Sequence, residues 1–175
     1  YRPFHSVHYA LFYLLLGGDP VVNHIFHILL FILGLIFIYI LCLRCSGDIS
    51  SSFWSTLIYS FLATTAWQVS WLVNRQHLLQ VILFASLTIT YDKFLLSGRP
   101  KYWWGTLGLF ISAVLLKETA ITYPLIIFSF AVIIRKKTMI SQIKPLSPFI
   151  ALLFLFILIR TAIVSQNTEQ TKTPP

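Results

Sequence analysis

The sequence predicts an all-α fold: a polytopic transmembrane helical bundle of about six spans with an N-terminal interfacial helix. Three observations over the 175 residues support this fold class: 57% are hydrophobic, only 10% are charged, and the mean hydropathy is +0.81. Soluble domains carry about 25% charged residues, whereas a helix needs about 20 apolar residues to cross a bilayer. The chain therefore has room for about six spans and short loops, and none for a soluble domain.

The first segment, 1–20, is predicted to lie on the membrane surface at the extracytoplasmic side. Its apolar run, residues 9–16, is too short to span a bilayer. The Gly-Gly-Asp-Pro sequence at 17–20 is typical of a turn. We therefore expect a short interfacial helix that ends before the first span.

Apolar runs separated by polar or basic residues define the spans that follow. The charged pair Lys117-Glu118 divides the fourth run from the fifth, so we expect a helical pair that meets at a charged corner. Together the runs form a partial transmembrane domain over 1–164, and 165–175 is a polar tail. The predicted spans cover about 24–43, 53–73, 77–96, 103–116, 120–134 and 148–164.

The distribution of basic residues predicts the orientation. Loops on the cytoplasmic side of a membrane carry an excess of Lys and Arg. The more basic connections are therefore assigned to the cytoplasm, and the corners at Arg75 and Glu118 to the extracytoplasmic side of a bacterial inner membrane or the endoplasmic reticulum. The cytoplasmic set contains Arg44, Lys93, Arg99, Lys101, Arg135, Lys136, Lys137 and Lys144.

The net charge of +8 does not indicate nucleic acid. Nucleic-acid-binding proteins cluster Lys and Arg on one water-facing surface, whereas here the basic residues lie between apolar runs. We expect membrane lipids as partners and no nucleic acid. The two cysteines, Cys42 and Cys45, have no second pair and no histidine at ligand spacing, so they predict neither a zinc site nor a disulfide framework.

The predicted orientation gathers ionisable residues on the extracytoplasmic side. Such residues at membrane depth or at span ends are costly to place and are candidates for function. Two other interpretations of these residues stay open. They are solvated side chains at the membrane interface, or they form a structural ion pair between helices. The carboxylate of Glu118 needs a positively charged or hydrogen-bonding partner at this depth. Arg75 or a histidine from another span is as suitable for it as Lys117. The other acidic residue within the spans, Asp92, has Lys93 beside it in sequence. The candidate residues that bind a donor phosphate or line the site are Arg2, His24, Arg75, His77, Lys117 and Glu118.

The histidines occur as two pairs, His5 with His8 and His24 with His27. A spacing of three places each pair on one face of a helix. A divalent metal is one interpretation, but no carboxylate lies at ligand spacing. We therefore assign no metal site and no cofactor, and expect these histidines to hydrogen-bond a phosphate or lipid headgroups.

The order of motifs resembles a known family. The chain opens with Tyr-Arg-Pro at 1–3, and Gly17, Pro20 and His24 follow. Asn-Arg-Gln-His-Leu-Leu then spans 74–79, Leu-Lys-Glu-Thr-Ala spans 116–120, and Pro124 and Arg160 come later. This order resembles the polytopic GT-C class of membrane glycosyltransferases, and within it the protein O-mannosyltransferase-like group, including its tetratricopeptide-containing members. The resemblance covers most of the chain and rests on the order of short motifs.

The resemblance implies transfer of a sugar from a dolichyl or undecaprenyl phosphate carrier to a protein or glycan on the extracytoplasmic side. The family's arginine maps onto Arg75, and its Lys-Glu corner onto Lys117 and Glu118. An arginine suits a phosphate leaving group, whose developing charge it stabilises. The chain departs from the family at His27 and Phe31, where Asn and His are frequent, and at His77, near which Asp is expected.

The family's catalytic base is an acidic residue of the first extracytoplasmic loop, so we expect it upstream of Tyr1 and the chain to be an inactive fragment by itself. Asp19 is a weaker candidate for the base because its Gly-Gly-Asp-Pro sequence is typical of a turn.

An alternative function is a transporter or flippase for a lipid or anionic solute, which predicts polar residues deep along several spans. A structural or assembly role is the third hypothesis.

Overall fold

The computed structural model describes residues 3–62, 65 and 74–170, and every regular element in these ranges is a helix. The all-α fold class is thereby confirmed for this part of the chain. A 3₁₀ helix, Glu118–Thr122, follows the fifth α-helix, and a π-helical turn, Phe130–Ile134, follows the sixth. The α-helices are α1 (Pro3–Leu16), α2 (Pro20–Ser46), α3 (Ile49–Phe61), α4 (Arg75–Ser97), α5 (Pro100–Leu116), α6 (Tyr123–Ser129) and α7 (Met139–Gln170).

Within the described residues, three helical stretches are long and apolar enough to cross a membrane: Pro20–Ser46, Arg75–Ser97 and Met139–Ile159. On α2, one face is a stripe of exposed aliphatic side chains, which suits contact with lipid. That stripe consists of Ile25, Leu29, Ile32, Leu33 and Ile36.

Two helices differ from the predicted spans. Helix α3 has 13 residues and ends at Phe61, since Leu62 has extended backbone with φ −61° and ψ 138°. Of the predicted second span, 53–73, residues 63, 64 and 66–73 lie outside the described residues. The six-span count is therefore not reached by the helices described.

Helix α7 begins before and ends after the predicted span 148–164, and it contains Lys144, which the sequence placed in a loop. Pro145 and Pro148 lie inside this helix although proline cannot donate a backbone hydrogen bond. The hydroxyl of Ser147 instead donates to the Lys144 carbonyl at 2.9 Å, the carbonyl that Pro148 leaves unbonded. The helix continues through Gln170, which includes the first part of the predicted polar tail.

The chain divides into two compact units between Tyr123 and Pro124. The unit over residues 2–123 contains α1 to α5 and the 3₁₀ helix. All the predicted site residues belong to it.

Caps fix the ends of its first helices. Gly17 closes α1 in the left-handed conformation, at φ +67°, and Asp19 caps α2 by accepting a hydrogen bond from the Val21 amide at 2.8 Å. The carboxylate of Asp19 is exposed and serves the turn, as its sequence setting predicts. At the other end of α2, Asp48 caps α3, and hydrogen bonds from the Ser51 side chain and backbone lower the pKa of the Asp48 carboxyl.

Helices α2 and α4 lie parallel and are joined by polar contacts at both ends. Arg75 at the start of α4 contacts Asn23 of α2, and Arg44 near the end of α2 contacts Asp92 of α4 at 2.9 Å. Between them, Gly34 lets α2 approach the aliphatic side chains of α4 closely. At 1.5 Å per residue the two contacts are roughly 26 Å apart along α4 and 32 Å along α2, close to the ~30 Å hydrocarbon core of a bilayer.

Helix α5 runs antiparallel to α4. Gly105 of α5 lies against Thr90, and a Cβ at Gly105 would be 3.3 Å from the Thr90 methyl. The end of α5 is close to the start of α4, because Lys117 contacts His77. This topology brings Lys117 back to the end of the unit where Arg75 lies.

The Arg44–Asp92 ion pair predicts an asymmetric mutational response. Asp92 is fully buried, whereas the Arg44 side chain is 29% exposed. Arg44→Ala removes the guanidinium from a buried carboxylate and should lower the free energy of unfolding by about 3–5 kcal/mol. Asp92→Ala should cost less, because Arg44 can reach solvent. Unfolding in detergent measures both.

Arg99→Ala is the matched control, since Arg99 is an exposed cation at the same end of the unit. It should change the free energy of unfolding by at most ~0.5 kcal/mol. An Arg44→Ala variant as stable as Arg99→Ala would contradict the importance of the ion pair.

Candidate functional site

Arg75 is the first residue of α4 and is only 3% exposed. Its Nη2 donates to Oδ1 of Asn23 at 3.1 Å and to the Asn23 carbonyl at 3.3 Å. Its guanidinium carbon lies 4.9 Å from the centre of the Phe12 ring and 5.8 Å from that of Phe26. Aromatic faces attract a cation. The helix dipole opposes a positive charge at a helix N-terminus. The two rings and the Asn23 oxygens therefore stabilise the buried charge of Arg75 against the dipole of α4.

Asn23, which was not among the predicted site residues, orients Arg75. Its Nδ2 donates to the carbonyls of Gly17 and Asp19 at 3.1 and 2.9 Å, and this directs Oδ1 toward the guanidinium. The turn between α1 and α2 is thereby tied to Arg75. The signal in the sequence is that Asn23 is the one amide side chain of α2.

Lys117 and His77 form the second polar contact at this end. The Lys117 Nζ lies 2.9 Å from Nε2 and 3.2 Å from Nδ1 of His77. An ammonium only donates, so it bonds whichever ring nitrogen carries no proton. Lys117 has extended backbone, φ −158° and ψ 139°, between α5 and the 3₁₀ helix. The charged corner predicted at this point is therefore a real break in the helical path.

Glu118 is half-buried and begins the 3₁₀ helix directly after Lys117. Glu118 thus shares the end of the unit with Arg75 and Lys117.

His24 and His27 differ in burial although their rings are near-parallel, with centroids 6.5 Å apart. His24 is exposed, and His27 is completely buried. The spacing of Asn23, His27 and Gly34 places them on one face of α2, the face that packs against α4. His24 therefore borders the site, and His27 belongs to the helix interface.

Within the described ranges, no group of three or more His, Cys, Asp or Glu side chains is arranged to hold a metal ion. Arg2, a predicted site residue, lies outside the described residues. The structure brings Arg75, His77, Lys117, Glu118 and His24 to one end of the unit. The opposite end has the Arg44–Asp92 pair and the exposed Lys93, Arg99 and Lys101.

Two glutamines on α4 were also missed by the sequence analysis. Gln76 and Gln80 are 8% and 7% exposed. Oε1 of Gln76 and both amide atoms of Gln80 make no hydrogen bond of good geometry with the described residues, although the Gln80 side chain lies beside the Tyr123 hydroxyl. The backbone carbonyl of Gln80 accepts from the Tyr123 hydroxyl at 3.2 Å. The available signal was their spacing of four in an otherwise apolar run.

The Asn23–Arg75 contact predicts the effect of Asn23→Ala. The substitution removes an acceptor from a buried cation and two donors from the turn, and should lower the free energy of unfolding by about 2–3 kcal/mol. Unfolding in detergent measures the change. His24→Ala, one residue along and exposed, is the control and should change the free energy of unfolding by at most ~0.5 kcal/mol. Equal stability of the two variants would contradict the role of Asn23.

Comparison of the chain with known protein families, with curated proteins and with solved structures found no match in any of the three.

Proposed function

We propose that this chain is part of an integral membrane glycosyltransferase. It transfers a sugar from a polyprenyl-phosphate carrier to a protein or glycan acceptor on the extracytoplasmic side. The observation that supports this proposal best is the buried guanidinium of Arg75, held by Asn23 and two phenylalanine rings at the same end as Lys117.

The chemistry follows from the two cations. As the bond between the sugar C1 and the phosphate oxygen breaks, negative charge develops on the carrier phosphate, and the acceptor oxygen attacks C1. A guanidinium presents a planar fork that matches phosphate. A cation fixed in a dry site stabilises that charge more strongly than one in water. Arg75 and Lys117 are assigned to the carrier phosphate in this proposal.

His77 and Glu118 have supporting roles in the proposal. His77 accepts a hydrogen bond from the Lys117 ammonium, and so positions it when no phosphate is bound. Glu118 lines the site beside Lys117 in this proposal. His24 and Arg2 complete the proposed lining. The proton of the acceptor hydroxyl goes to an acidic base, which in the family that the chain resembles belongs to the first extracytoplasmic loop.

The proposed arrangement in the membrane has about six spans, with the Arg75 end extracytoplasmic and the Arg44 end cytoplasmic. The membrane is a bacterial inner membrane or the endoplasmic reticulum. The separation of the two polar ends of the α2–α4 pair supports this arrangement, because it equals about one bilayer thickness.

The transporter hypothesis requires polar residues deep along several spans. Between His27 and Arg44, helix α2 has no charged or amide side chain. Among the described residues of this unit, the buried glutamines lie on α4. This distribution favours an enzyme whose polar site lies at one end of the bundle.

Substitution of Arg75 tests the proposal. In the full-length protein, Arg75→Ala should lower kcat/KM for transfer from polyprenyl-phosphate mannose by about 10²–10³-fold, the scale of losing one charge-stabilising donor. Arg75→Lys keeps the charge but not the fork and should be intermediate. Glu118→Gln should also reduce transfer.

Arg99→Ala is the control, because it removes an exposed arginine at the opposite end, and its transfer rate should equal that of the wild type. Unchanged transfer in both Arg75→Ala and Glu118→Gln would show that the assignment of this site is wrong.

A further inference from the structure

We propose that the side-chain amides of Gln76 and Gln80 bind the hydroxyls of a pyranose, namely the sugar of the lipid-linked donor; this rests on the proposed function. Gln76 directly follows Arg75, and Gln80 lies one helical turn further. The buried arginine would take the phosphate and the buried amides the neutral sugar attached to it.

The first support is the state of the amides. Both side chains are more than nine-tenths buried, and three of their polar atoms make no hydrogen bond of good geometry with the described residues. A buried polar atom without a partner loses its hydration and gains nothing in return. Such atoms are rare in native proteins and indicate an occupant, which is a water molecule or a ligand.

The second support is position. At 100° per residue, Gln76 and Gln80 lie about 100° and 140° around α4 from Arg75. Arg75 contacts α2, whereas Phe84, with its ring centre 5.1 Å from that of Tyr123, lies on the side of the 3₁₀ helix. The glutamines lie on the flank between these two faces. They project beside the start of α4, where both proposed phosphate-binding cations are found.

The third support is chemistry. An amide offers one acceptor and two donors, and a sugar hydroxyl both donates and accepts. A neutral amide pair has no charge with which to attract an anion, so its ligand is polar and uncharged. Two amides about 6 Å apart along the helix can engage hydroxyls on different carbons of one ring.

The proposal predicts opposite effects on stability and on binding. Gln80→Leu replaces two unbonded buried atoms with apolar volume, so the melting temperature of the ligand-free protein should rise. The same substitution should weaken binding of polyprenyl-phosphate mannose by about tenfold, the value of one hydrogen bond. Binding of bare polyprenyl phosphate should not change.

The experiment measures melting temperature and lipid affinity for the full-length protein, Gln76→Leu, Gln80→Leu and the double variant. Thr88→Val is the matched control: Thr88 is buried on α4, but its hydroxyl already bonds the Phe84 carbonyl at 2.9 Å. It should leave the affinities of both lipids at wild-type values.

Several outcomes overturn the proposal. If Gln80→Leu raises the melting temperature but leaves the affinity for the mannosyl lipid intact, the amides hold water only. If the wild type binds bare and mannosylated lipid equally, and Arg75→Ala weakens both, the phosphate assignment stands and the sugar site is wrong. If neither lipid binds, the proposed function is wrong and the sugar site is lost with it.

A glycan acceptor is the other source of pyranose hydroxyls, and free mannotriose tests it. Loss of mannotriose binding in Gln80→Leu, with donor binding retained, would assign the amides to an acceptor and overturn the donor assignment. Loss of donor binding alone supports the proposal.

Discussion

The parallel pairing of α2 and α4, fixed at both ends by arginine, is the constraint on which the first unit depends. Each helix contributes one arginine: Arg75 of α4 contacts Asn23, and Arg44 of α2 contacts Asp92. Because the two contacts lie at opposite ends of the pair, roughly 30 Å apart, they fix both its register and its parallel alignment. With that register set, α5 returns antiparallel along α4 and brings Lys117 to the Arg75 end.

Much of this fold can be predicted from the sequence, and the misses have physical causes. Apolar runs and their breaks predict the helices, and Lys117 predicts the corner after α5. The extent of α7 was underestimated because Lys144 was grouped with the basic loop, whereas the Ser147 hydroxyl bonds the Lys144 carbonyl and the helix continues through it. The partner of Asp92 was also missed, because the neighbouring Lys93 is exposed while Arg44 comes from a helix distant in sequence. Long-range pairs of this kind depend on tertiary packing.

In the candidate site, too, some residues could be predicted from the sequence and others could not. Arg75, His77 and Lys117 are identifiable because charged and titratable residues are rare in an apolar chain. The residues that set the environment of Arg75 are neutral, and in sequence they resemble ordinary membrane-facing or core positions. Phe12, Phe26 and Asn23 acquire their significance only when α1, α2 and α4 meet. Burial of the guanidinium, on which its proposed role at a phosphate depends, is therefore a product of the fold.

The account as a whole requires the two polar ends of the unit to face opposite sides of the membrane. Thr119 and Ser97 are both exposed and lie at opposite ends of the unit. Each can be replaced by a single cysteine in a Cys42→Ser/Cys45→Ser background. Labelling these cysteines with a membrane-impermeant maleimide tests the orientation. The account predicts that Thr119→Cys is labelled from the extracytoplasmic side of intact membranes and Ser97→Cys only after permeabilisation. Labelling of both from one side, or in the reverse order, would contradict it.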